Sequence, residues 1–93
     1  MYPRILEQIR ALVGQGDYVL SVHAENELAK DGFTERDLEA AILTGSVVKR
    51  ERDRIGRPKY IIEGMARDGR GLTATAQRFQ TRGLVLIITA YET

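Results

Sequence analysis

Leu84-Val85-Leu86-Ile87-Ile88-Thr89-Ala90-Tyr91-Glu92 is the most apolar run of the chain. Five consecutive aliphatic residues suit a strand and fall far short of the roughly 18 needed to span a membrane. So apolar a strand predicts a place near the middle of a sheet with both faces covered. Simple alternation puts Val85, Ile87, Thr89 and Tyr91 on one face and Leu86, Ile88 and Ala90 on the other.

Upstream, Thr81-Arg82-Gly83 is a turn, and Leu72 to Gln80 reads as a strand in which Ala74 and Ala76 alternate with Thr73 and Thr75. Asp68-Gly69 marks a hairpin before it, Lys59 to Ala66 a further strand, and Ile55-Gly56-Arg57-Pro58 another turn. With Val47 to Asp53, the segment from about 46 to 92 forms an antiparallel meander of four strands. The first half has a different texture. Pro3 opens a helix over about residues 3–14, with Ile5, Leu6, Ile9, Leu12 and Val13 at helical spacing. Tyr18 to Val22 is a short extended segment. Two helices fill residues 21–44: Ser21 and Thr34 cap them, Gly32 and Gly45 end them, and Leu38, Ala41, Ile42 and Leu43 form the buried side of the second. The expectation is one α+β domain over residues 1–93, with N-terminal helices packed on a four-stranded antiparallel sheet.

Composition narrows the function classes. The 93 residues are 43% hydrophobic and 29% charged, as in ordinary globular domains. There is no cysteine, so disulfides and thiolate metal sites are excluded. Carboxylates are scattered and there is one histidine, which offers no metal-ligand spacing; no metal, cofactor or membrane is expected. No signal peptide is legible at the N-terminus, and the cytoplasm is the default expectation. The formal charge of +1 hides a division: residues 1–45 carry a net −4 and residues 46–93 a net +5. Such a division either cancels across the folded molecule or prepares one end for an anionic partner.

Two groups of residues could carry chemistry. His23 is the only histidine, and imidazole is the side chain best suited to proton transfer near neutral pH; a lone histidine at a strand-to-helix junction is more often a structural hydrogen-bonder. The segment from Lys49 to Tyr60 holds six basic residues and two acids. Arg50, Arg52, Arg57 and Lys59 suit phosphate contacts and Tyr60 a stacking platform, although edge strands carry such charges simply to block pairing.

Ser21-Val22-His23-Ala24, Asp31-Gly32-Phe33-Thr34 with the acidic helix behind it, Thr44-Gly45, and the final Ile87-Ile88-Thr89-Ala90-Tyr91 together resemble a bacterial family, the domain of unknown function 4258. That family is similar to RelE/ParE-type toxins, small α+β domains with helices on an antiparallel sheet. The resemblance implies a toxin-like component of a toxin–antitoxin pair and a metal-independent endoribonuclease. His23 would be its general acid or base, with Tyr91 and Thr89 beside it and the 49–60 segment supplying positive charge. RNA and an antitoxin protein are the partners it implies. The alternative is a non-catalytic protein- or nucleic-acid-binding module of the same fold. One departure stands out: the resembling sequences commonly carry arginine four and eight residues after the histidine, where this chain has Glu27 and Asp31.

Overall fold

The computed structural model describes residues 1–93. Its elements are α1 (Pro3–Gly14), β1 (Tyr18–Leu20), α2 (Val22–Lys30), α3 (Glu35–Thr44), β2 (Ser46–Arg52), β3 (Pro58–Met65), β4 (Gly71–Phe79) and β5 (Leu84–Glu92). The strands form one five-stranded sheet in the order β1-β5-β4-β3-β2. This corrects the expected four-stranded antiparallel sheet. The meander is present, but Tyr18–Leu20 adds a fifth strand that runs parallel to β5, pairing Tyr18 with Val85 and Leu20 with Ile87. The sheet is therefore mixed. Three residues carry too little periodicity to announce a parallel partner more than sixty positions away.

Helices α2 and α3 start where side chains can satisfy free backbone donors, whereas α1 opens on Pro3 with no side-chain cap. Ser21 Oγ accepts from the Ala24 N–H at 3.0 Å, and Thr34 and Asp37 form a reciprocal capping box on α3. Gly32, with φ +72°, permits the left-handed turn between α2 and α3.

All three helices contribute to one core, with Ile9, Val13, Leu28, Leu38 and Ile42 packed on Ile62, Leu72, Ala74, Val85 and Ile87. Each fully buried aliphatic side chain stabilises the fold by roughly 1.5–3 kcal/mol. Helix α3 crosses β3 backbone to backbone: a Cβ on Gly64 would overlap the Ala41 carbonyl. Arg10 of α1 fastens that end by donating from Nε to the Ile42 carbonyl at 3.0 Å and from Nη2 to the Gly45 carbonyl at 2.6 Å. Leu43, expected in the core, is 52% exposed because it lies on the opposite side of α3 from Ile42 and Ala41.

Two sequence expectations for the last strand change. The middle strand is β4, and β5 lies between it and β1; because every helix lies on the same side, the second face of β5 stays open. The alternation along β5 also breaks. Thr75 pairs with Thr89 but Ala76 pairs with Ile87, so Ile88 is an extra residue in a β-bulge. Val85, Ile87 and Ala90 consequently face the helices, whereas Thr89 and Tyr91 lie on the open face opposite Thr75 and Thr73. A one-residue insertion reverses the side to which every later residue points.

Candidate functional site

The face without helices carries the remaining polar side chains. Its centre is closed by paired hydroxyls, with Thr73 and Thr75 themselves buried: Thr89 Oγ1 donates to Thr75 Oγ1 at 2.8 Å, and Thr73 and Thr93 hydroxyls pair at 2.7 Å. Toward one end it becomes apolar, with Val19, Leu84, Leu86 and Phe79 in a strip.

The β2–β3 loop bends over this face, held by Asp53. One carboxylate oxygen accepts from the Ile55 N–H at 3.0 Å and the Arg57 N–H at 2.9 Å. The other accepts from Arg57 Nε at 2.9 Å and Gln77 Nε2 at 3.0 Å. Gln77 lies on β4, so this last bond ties the loop tip to the middle of the sheet. The Gln77 amide, then the backbone and guanidinium of Arg57 and the Ile55 N–H, hold the Asp53 carboxyl well below the usual carboxylate range. Gly56, with φ +88°, completes the turn, and Arg52 Nη1 donates to its carbonyl at 2.8 Å.

Between this loop and the β5 bulge lies a cleft of about 460 Å³ lined by Arg52, Asp53, Arg54, Arg57, Lys59 and Ile88, among others. Four cations face one carboxylate there, and that carboxylate is already engaged. Arg57 lies with its Cζ 5.3 Å from the centre of the Phe79 ring. The two oppositely charged halves of the sequence pair little with each other on folding. Arg67 with Asp37 is the one ion pair that joins a residue of the basic half to an acid of the first half. Arg70 pairs within its own half, with Asp68 at 2.8 Å and Glu92 at 3.4 Å.

The five residues expected to bind phosphate divide between the two sides of the sheet. Arg52, Arg57 and Lys59 line the cleft together. Arg50 lies on the helix side, its guanidinium 5.3 Å from the Tyr2 ring centre, and Tyr60 is 8% exposed, packed edge-on to Tyr2 at 5.7 Å. Tyr60 thus belongs to the core because its register partner, Ala76, faces the helices. Arg54 completes the cleft and sits within the basic run; Ile88 and Gln77 were hidden, one by the bulge and the other by its place on a strand remote from the loop.

His23 is in the first turn of α2, with its side chain 67% exposed and Nε2 3.4 Å from Glu27 Oε2. The other Glu27 oxygen accepts the Ala90 N–H at 2.9 Å, and Asp31 accepts the Glu92 N–H at 2.8 Å. Beyond the end of β1, then, α2 side chains take over the outer edge of β5. Glu27 and Asp31 both serve this edge. Tyr91 follows Ala90 but points to the open face, 41% exposed, and His23 reaches it only through Glu27 and the Ala90 backbone. Thr89 is committed to Thr75. Neither His23 nor Tyr91 lines the basic cleft. No three His, Asp or Glu side chains converge as a metal-binding group, and no helix is long and apolar enough to cross a membrane.

Fold and site together define an α+β domain whose helices cover one face of a mixed sheet and whose basic loop overhangs the other. Residues 20–92 match the family model described as Domain of unknown function (DUF4258), and the chain belongs to that family. No curated protein and no solved structure matches it.

Proposed function

We propose that this domain binds single-stranded RNA through the cleft beneath the β2–β3 loop, as the toxin-like component of a toxin–antitoxin pair. The observation that carries this reading is the convergence of Arg52, Arg54, Arg57 and Lys59 on one cleft whose sole carboxylate, Asp53, is consumed by the loop itself. Phosphodiester chains are attracted to such a site through release of their counterions, and the arginine held over Phe79 presents a flat cation beside an apolar wall. The resemblance to RelE/ParE-type toxins, and the layout of helices on one face and an open opposite face, support the same reading. The protein antitoxin it implies would meet a basic end, which favours an acidic partner.

Fluorescence anisotropy with labelled oligouridylate tests it. Arg54→Ala/Lys59→Ala should weaken binding about tenfold or more at low salt, and wild-type affinity should fall steeply as salt rises. Salt-independent binding, or none, removes the proposal.

A second reading, metal-independent RNA cleavage, is favoured by the exposed His23 ring beside a carboxylate that the β5 backbone holds in place. There, His23 would take the 2′-hydroxyl proton as that oxygen attacks phosphorus, and the departing 5′-oxygen would take a proton from water as its bond to phosphorus breaks, leaving a 2′,3′-cyclic phosphate. The two readings separate on His23→Ala. Binding alone survives this change; cleavage in EDTA, and growth arrest caused by it, would drop by about 10²-fold or more.

A further inference from the structure

Arg57 belongs to more than one hollow. Besides the open-face cleft, it borders a smaller one of about 240 Å³ with Pro58, Tyr60, Arg78 and Gln80, on the side of the sheet that carries α1. That hollow shares Tyr60, Arg78, Gln80 and Ile5 with a groove of about 420 Å³ running to Tyr2, Arg4 and Gln8 at the start of α1. Arg57 thus stands between the open-face cleft and this hollow, and Ile5, Tyr60, Arg78 and Gln80 stand between the hollow and the groove. No carboxylate lines the two on the helix side, and neither Arg4 nor Arg78 has an acidic partner. The path therefore presents Lys59, Arg54 and Arg52, then Arg57, then Arg78 and Arg4.

We infer that this path is one continuous track, along which an RNA strand seated in the open-face cleft turns past Arg57 and runs into the groove between α1 and the β3–β4 end. The inference rests on the RNA reading above and deepens it, because it assigns a length to the ligand. A short oligonucleotide fills the open-face cleft alone; a longer one also contacts Arg78 and Arg4. Gln8 and Gln80 add hydrogen-bonding groups that neither repel phosphate nor demand a particular base. Phosphate contacts of this kind set the path and bring little sequence preference.

The test uses the full chain with oligouridylates of about four and about twelve nucleotides, both within the range of site sizes of small single-strand binding domains. Wild type should bind the longer probe about tenfold more tightly than the shorter. Arg4→Gln/Arg78→Gln should abolish that advantage while binding the short probe within about twofold of wild type. Its salt slope for the long probe should be shallower by about 1.4, the value for two lost single-strand phosphate contacts. Glutamine keeps the packing of the aliphatic stems, and a circular dichroism melt matching wild type checks that the variant is folded. Long-probe affinity unchanged in Arg4→Gln/Arg78→Gln would overturn the track and leave the cleft reading intact. Failure of wild type to bind either probe would overturn both.

Discussion

Glu27 on α2 accepts the backbone N–H of Ala90 on β5 at 2.9 Å, so that a helix side chain does the work of a longer β1. β1 pairs with β5 only as far as Ile87, and the Ser21 hydroxyl, Glu27 and Asp31 in turn take up the backbone beyond it. An edge that would otherwise offer donors to a neighbouring chain is thereby closed. Glu27→Ala removes the acceptor from a partly buried N–H and should destabilise the fold by about 1–3 kcal/mol. Glu27→Gln keeps a carbonyl oxygen and should lose less. Urea unfolding of the two variants checks the order; equal losses would mean that the hydrogen bond contributes nothing.

A second prediction concerns the close crossing of α3 over β3. A methyl group at Gly64 would enter the space of the Ala41 carbonyl, where backbone on both sides leaves nothing flexible to yield. Gly64→Ala should therefore destabilise by about 3 kcal/mol or more, the upper end of overpacking effects. At Gly14, the last residue of α1, nothing lies within 4 Å of the added methyl. Gly14→Ala should be neutral or stabilising by up to about 1 kcal/mol. Thermal melts of the pair decide whether proximity or glycine itself matters.

Asp53 makes the loop sensitive to acid. Because the folded state holds its carboxyl below the unfolded value of about 3.9, its contribution is fully present above that pH and is lost as pH falls through the folded pKa. Asp53→Asn should thus be less stable than wild type at neutral pH, and the gap should narrow as the solution is acidified below about pH 4. Denaturant midpoints measured along a pH series provide the comparison. A gap that stays constant with pH would assign the effect to geometry rather than charge.

Tyr18 titrates at the opposite extreme. Its burial, then hydrogen bonds to Glu39 at 2.6 Å and Glu35 at 3.0 Å, push the phenol above the usual tyrosine range. Ionising it would place a third negative charge beside two carboxylates. In an alkaline absorbance titration, the wild-type minus Tyr18→Phe difference should show no tyrosinate signal until the protein unfolds. A signal in the ordinary tyrosine range would refute this.

Local physics made much of the molecule legible in its sequence. Ser21 and Thr34 announced helix starts because their hydroxyls satisfy donors three residues away, and Asp68-Gly69 announced a hairpin because glycine alone accepts the turn without strain. The meander, the charge division and the basic run around Arg57 were readable for the same reason: each depends on residues close together in the chain. What depended on distant partners was not. The parallel pairing of Tyr18–Leu20 with Val85–Ile87, the bulge at Ile88, the burial of Tyr60 and the role of Glu27 at the edge of β5 each follow from which surfaces meet on packing. Period and propensity describe what a segment offers, and only the assembled sheet chooses the face it turns inward. For this protein that choice put Arg52, Arg57 and Lys59 around one cleft and left His23 outside it.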